Sequence, residues 1–231
     1  MMNLPNKLTV LRICLIPVFV VAYFLPFKWA PWVAVAVFIL AAFTDFLDGF
    51  IARKYKLVTD LGKLLDPIAD KILSTAALFC IVATNPLQWV TVLAEFSGYS
   101  WNFTEFGVIF LTTCATIILA RELLVDAVRM IAASKGIVVQ ANVFGKIKTV
   151  LQDVCLPLLV LVNFFKYVCE DMSQTSFRPT QLHAGVYVAM VATVLFGLAT
   201  VMTVVSGVIY LVKNKEVFTN RADVNKSEKA E

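Results

Sequence analysis

Six apolar runs of about 20 residues each, near 9–27, 32–53, 63–84, 105–132, 143–168 and 184–212, leave this chain few ways to fold. A run of that length crosses a hydrocarbon layer about 30 Å thick as one helix. A helix also satisfies its own backbone N–H and C=O groups, which lipid cannot do. The expectation is an all-α, polytopic membrane protein with six transmembrane helices. Composition agrees: of 231 residues, 60% are hydrophobic and only 16% charged, and mean hydropathy is +0.82. A water-soluble fold would have to hide all six runs at once.

Charge gives the runs a direction. Of the 20 Lys and Arg, all but Lys28, Lys166 and Arg178 fall on or near the side that holds the N-terminus. A positive-inside bias of that size places both termini in the cytoplasm. The net charge of +4 suits an anionic leaflet, and because the basic residues are spread along membrane edges no nucleic-acid partner is expected. The opening run is not a cleavable signal, since it lacks an A-x-A site and is interrupted by Asn6 and Arg12. A single histidine, His183, argues against a His-based triad or metal site. Cys14, Cys80, Cys114, Cys155 and Cys169 form no metal-type spacing and read as reduced packing residues.

Several stretches carry their own expectation. Residues 3–12 read as a short N-terminal interfacial helix entering the first span, with Asn6 as N-cap after Pro5. Asn85-Pro86 should stop the third span, and the aromatic-rich 85–105 that follows reads as a re-entrant segment on the outer face. Gly185, Ala189, Gly197 and Gly207 give the last span a small-residue character suited to helix packing, within or between subunits. Residues 1–213 read as one domain, and 214–231 as a polar, disordered tail.

Against this background the stretch Asp45-Phe-Leu-Asp48-Gly49-Phe-Ile-Ala52-Arg53, followed after eight residues by Gly62-Lys-Leu-Leu-Asp66-Pro-Ile-Ala-Asp70, stands out. A carboxylate near the middle of a membrane helix costs roughly 2.5–3.5 kcal/mol. The four acids Asp45, Asp48, Asp66 and Asp70 must therefore converge on something that compensates. Helical spacing places Asp45, Asp48/Gly49 and Ala52 on one face of the second run, and Gly62, Asp66 and Asp70 on one face of the third. A tight connection makes the two helices antiparallel neighbours, with both carboxylate pairs facing one cleft. Oxygen ligands without His or Cys suit Mg²⁺ or Mn²⁺, and four carboxylates suffice for two ions with positions left for phosphate oxygens. Gly49, Ala52 and Gly62 keep bulk away from the carboxylates so that a ligand can approach the backbone, and Arg53 can neutralise a phosphate.

A second cluster lies at the same end of the later runs. Arg121, Arg129, Lys135, Lys146 and Lys148 gather where spans four and five reach the cytoplasm, and Gly145, Lys148, Thr149 and Gln152 share one helical face. Positive-inside topology accounts for some of these cations. Arg121 and Lys148 lie inside helical runs instead of loops, which favours a pocket for an anionic acceptor carrying its own phosphate.

The pattern D-x2-D-G-x2-A-R-x8-G-x3-D-x3-D is matched at every position and resembles the signature of the CDP-alcohol phosphatidyltransferases. That resemblance implies two divalent ions gripping the pyrophosphate of a CDP-linked lipid, with Asp45, Asp48, Asp66 and Asp70 as ligands. It implies that Asp70 is also the base that deprotonates the acceptor alcohol, and that Gly49, Ala52, Arg53 and Gly62 contact the CDP-lipid. Three further pieces are similar to the bacterial phosphatidylglycerophosphate synthases of that family: Asn3-Leu-Pro-Asn-Lys-Leu-Thr9-x-x-Arg12, Ala120-Arg121-Glu122 and Gly145-Lys-Ile-Lys-Thr149-x-x-Gln152. They imply CDP-diacylglycerol and sn-glycerol 3-phosphate as substrates, residence in the bacterial inner membrane and a homodimer. Two other readings remain open at this point. One is a cardiolipin synthase of the same fold with phosphatidylglycerol as acceptor; the other is a divalent-cation transporter using the acids as an intramembrane ion site.

Overall fold

The computed structural model describes residues 4–55, 60–88, 91, 103–135, 143–165 and 179–214. Among them the chain forms six α-helices: α1 (Leu4–Phe24), α2 (Ala30–Tyr55), α3 (Asp60–Thr84), α4 (Phe103–Ser134), α5 (Val143–Val162) and α6 (Pro179–Lys213). Three stretches are long and apolar enough to cross a membrane, Lys7–Phe24, Thr104–Ala132 and Gly185–Lys213. Among the described residues, α2 and α3 contribute the shorter apolar stretches Ala30–Asp45 and Lys71–Thr84.

Contacts at the helix ends fix the alternation of direction. Tyr23, Thr84 and Asn163, from the C-terminal ends of α1, α3 and α5, hydrogen-bond to one another. Trp29 and Trp32 at the start of α2 pack on Phe164, and Asn85 donates through its amide to the Thr104 carbonyl at the start of α4 (3.0 Å). The opposite end of the bundle is tied by Arg12–Asp45 between α1 and α2, Lys71–Asp126 between α3 and α4, and Lys148–Glu122 between α5 and α4.

α1 packs most extensively on α2, and α5 on α6, while α3 touches α1, α2, α4 and α5. The main core joins Phe19, Phe38, Leu78, Ile81, Ile118, Leu156 and Phe196, all buried. Every helix also presents large apolar side chains outward, among them Val21, Ile39, Phe79, Ile109, Val150 and Val201.

Four sequence expectations are changed or narrowed here. The 3–12 segment is not a separate helix: α1 runs unbroken from Leu4, with Asn6 inside its first turn. Pro5 also sits in that turn, where its missing N–H costs nothing, so no element stops the helix before Arg12. The α2–α3 hairpin is also looser than expected. Among the described residues these helices touch little, and both pack on α1 instead. Third, the small residues of α6, expected to pack within or between subunits, do pack on helices of this chain. A Cβ on Gly185 would meet Phe165, on Gly197 Phe110 and on Gly207 Arg121, and Ala189 is buried. Finally, Cys14 is exposed, whereas Cys80, Cys114 and Cys155 are buried and free as read.

Asn85-Pro86 does end α3. Asn85 takes a left-handed backbone (φ 40°), which Asn tolerates better than most residues. Gly107 on α4 has to lack a side chain, because a Cβ there would fall 2.6 Å from Asn85 Oδ1 and 2.9 Å from Leu87 Cβ. Beyond Gln88 and Thr91 the re-entrant reading of 85–105 lies outside the described residues up to the start of α4, as do the tail after Asn214, Cys169 and the side chain of His183.

Candidate functional site

Asp45 and Asp48 lie in α2, one turn apart, and Asp66 and Asp70 lie one turn apart in α3. The helices thus give each acid pair a shared face. The side chains of Asp48, Gly49, Ala52, Arg53, Gly62, Asp66 and Asp70 lie outside the described residues, so only Asp45 has a described environment. Its carboxylate meets the Arg12 guanidinium (2.5 Å), and the Asp45 side chain is 45% exposed while Arg12 is fully buried. A guanidinium placed without access to water is stable only against an opposing charge, so α1 fixes the orientation of the first acid of the motif.

Among the described residues no three acid, His or Cys side chains form a metal-binding group. The test of a metal is therefore the donor set on α2 and α3. It consists of carboxylate oxygens in two helical pairs, which fit hard divalent cations and not zinc. Asp45 keeps oxygen surface open towards a cavity and is not consumed by Arg12.

That cavity, about 190 Å³, is lined by Asp45, by Lys71 and Ser74 of α3, by Glu122 of α4, and by Lys148, Thr149, Gln152 and Asp153 of α5. A second cavity of about 240 Å³ adjoins it through shared walls at Lys71, Glu122, Lys148 and Thr149. Its other walls are Arg121, Val125, Asp126, Arg129, Gly145, Lys146 and Tyr210. Of the five cations expected to gather, Arg121, Arg129, Lys146 and Lys148 do so. Lys135 lines neither cavity: it follows the last residue of α4, six residues past Arg129, or about 9 Å along the axis.

The local chain explains each placement. Gly145, Lys148, Thr149 and Gln152 share one face of α5, and that face turns inward. Lys148 is 2% exposed and pairs with Glu122. Arg121 donates to Ser206 Oγ of α6 (2.9 Å), and its aliphatic stem lies against Gly207, where a Cβ would sit 3.1 Å from Arg121 Cγ. Its Nε finds no hydrogen-bond partner among the described residues, and neither does the buried Tyr210 hydroxyl beside it.

Five cations face two carboxylates, Glu122 and Asp126, in the larger cavity. The surplus of positive charge selects an anion, and a doubly charged phosphate monoester above a singly charged carboxylate. Sequence reading missed Lys71, Glu122, Asp126, Ser206 and Tyr210 as members of the site. Glu122 follows Arg121 and Lys71 follows Asp70 directly, but which helices those charges meet is not written in local spacing.

The family model of CDP-alcohol phosphatidyltransferase matches residues 2–214. The chain is 36% identical over 176 residues to the CDP-diacylglycerol–glycerol-3-phosphate 3-phosphatidyltransferase of Bacillus subtilis, covering 71% of this chain and 79% of that protein. It is 38% identical over 161 residues to the protein of the same name from Sodalis glossinidius, covering 69% and 77%. The one from Salmonella typhimurium is 38% identical over 160 residues, covering 68% and 76%.

Proposed function

The chain belongs to the CDP-alcohol phosphatidyltransferase family, and from that premise we propose that it transfers a phosphatidyl group from CDP-diacylglycerol to sn-glycerol 3-phosphate, giving phosphatidylglycerophosphate and CMP. The observation that carries this reading is the pair of adjoining cavities, one reached by the acid motif through Asp45 and the other rich in cations. A lipid pyrophosphate and an acceptor phosphate need two anion sites with a reacting hydroxyl between them. A cation-rich pocket does not serve a metal transporter, and phosphatidylglycerol has no terminal phosphate to spend it on.

In this mechanism Asp45, Asp48, Asp66 and Asp70 would hold two Mg²⁺ or Mn²⁺ ions, which would supply charge neutralisation for the pyrophosphate. Gly49, Ala52 and Gly62 leave room for the CDP-lipid beside the acids, and Arg53 adds a cation to its phosphates. Arg121, Lys148, Lys146 and Arg129 hold the acceptor's phosphate, with Lys148 released from Glu122 as the phosphate takes its place. Asp70 accepts the proton of the acceptor's primary hydroxyl. That oxygen forms a bond to the β-phosphorus of CDP-diacylglycerol, the bond from that phosphorus to the bridging oxygen breaks, and CMP leaves with the electron pair. Arg12 holds Asp45 throughout.

The outward apolar side chains on all six helices support six membrane spans, and the concentration of basic residues at the site's end supports a cytoplasmic active site in a bacterial inner membrane. The experiment is CMP release by purified protein given CDP-diacylglycerol, Mg²⁺ or Mn²⁺, and an acceptor. Release with sn-glycerol 3-phosphate that stops on chelation is the expected result. Release with phosphatidylglycerol and none with sn-glycerol 3-phosphate would replace this reading by the cardiolipin synthase.

A further inference from the structure

The mechanism above leaves Gln152 without a task. Its side chain is 4% exposed, and its carbonyl oxygen Oε1 accepts no hydrogen bond from the described residues. Buried polar atoms in that condition are uncommon because they lose water and gain nothing in return. Gln152 lies one helical turn beyond Lys148 on the inward face of α5 and lines the cavity that Asp45 also lines.

Its neighbours show which kind of group is wanted. Asp45, Glu122 and Asp153 are carboxylates and offer no hydrogen. The hydroxyls of Ser74 and Thr149 already donate to the Lys71 and Lys146 carbonyls (3.2 and 2.8 Å). Lys148 directs its ammonium to Glu122 and Lys71 to Asp126, and although each ammonium carries three hydrogens neither bonds Gln152 Oε1. A phosphate dianion brings acceptors only and cannot satisfy an amide oxygen. A hydroxyl can.

We propose that Gln152 is a specificity-determining residue whose Oε1 accepts a hydrogen bond from the non-reacting hydroxyl of a polyol phosphate. The proposal rests on the phosphatidyl-transfer reading above and deepens it. Anchored at its phosphate by Lys148 and Arg121 and at its middle hydroxyl by Gln152, the acceptor is left one orientation for its terminal hydroxyl, towards the acid motif. An acceptor without the middle hydroxyl binds with Oε1 still buried and unpaired, the situation in which sites built around a hydroxyl reject the analogue that lacks it.

The test compares kcat/KM for CMP release with sn-glycerol 3-phosphate and with 3-hydroxypropyl phosphate, which lacks only the middle hydroxyl. Wild type is expected to prefer sn-glycerol 3-phosphate by about tenfold or more. Gln152→Met keeps the length and apolar stem but removes the oxygen, and its ratio should fall close to one with the KM for CDP-diacylglycerol little changed. Gln152→Glu keeps an acceptor oxygen and should keep the preference, even where the added charge raises both acceptor KM values. A wild-type ratio near one, a Met variant with the wild-type ratio, or loss of preference in the Glu variant each overturns the assignment. The wild-type and Glu measurements decide it even if the Met variant does not fold. Failure of wild type to release CMP with sn-glycerol 3-phosphate is a separate result, and it sinks the transfer reading itself.

Discussion

The bundle buries a polar cluster at each end, and the two are built on opposite plans. At one end Asn163 Nδ2 donates to the Tyr23 hydroxyl (2.5 Å), which donates to Thr84 Oγ1 (2.6 Å), which donates in turn to the Cys80 carbonyl (3.0 Å). Each hydroxyl gives one hydrogen bond and receives at least one, no charge is involved, and the three side chains satisfy one another, although Asn85 Oδ1 beside them has no hydrogen-bond partner among the described residues. At the other end five cations face two carboxylates in the larger cavity, with Asp45 and Asp153 in the cavity that adjoins it, and Arg121 Nε, Gln152 Oε1 and the Tyr210 hydroxyl have no hydrogen-bond partners among the described residues. Closed networks hold helices together. An end with more charge and more hydrogen-bonding capacity than its own residues use is arranged for something that arrives from outside.

The comparison can be broken from either end, and the largest effect belongs to the charged one. Asp70→Asn removes the proposed base and should lower CMP release by about 10²–10⁴-fold. Steady-state release at saturating substrates measures this, and near-normal turnover would take Asp70 out of the mechanism. Lys148→Ala comes next. Charged hydrogen bonds contribute about 1.5–3 kcal/mol, so the KM for sn-glycerol 3-phosphate should rise about ten- to a hundredfold while that for CDP-diacylglycerol stays close to wild type. Unchanged acceptor kinetics would mean that the phosphate binds elsewhere. The smallest effect is expected at the closed end. Tyr23→Phe deletes the central hydroxyl and should cost about 1–2 kcal/mol of stability, read as an earlier thermal transition in detergent, with both KM values unaltered. An altered acceptor KM in that variant would join two ends that the comparison keeps apart.

How much of this was legible beforehand follows from the range of the interactions. Helix positions were, because apolar runs and the Asn85-Pro86 stop act within one segment. The inward face of α5 was, since periodicity of 3.6 orders residues along a single helix, whereas of the four acids only Asp45 has a described side chain. The bonds between helices were not. Arg12 on Asp45, Lys71 on Asp126 and Lys148 on Glu122 depend on which helix stands beside which, and local spacing carries no trace of that. For the same reason the small residues of α6 point to helix packing without saying which helix they meet, and Gly207 is the floor under Arg121. Lys135 was grouped with the pocket because it shares its charge and its end of α4, but one and a half further turns carry it past the cavity.

Arg121 is seated by Ser206 and Gly207, which belong to α6, the last of the helices, whereas the acids stand on α2 and α3. A change at Gly207 therefore reaches the cation-rich cavity through a helix that carries none of the acids. Filling that position would tilt the Arg121 side chain while leaving α2 and α3 as they are, so the two halves of the site can be disturbed separately.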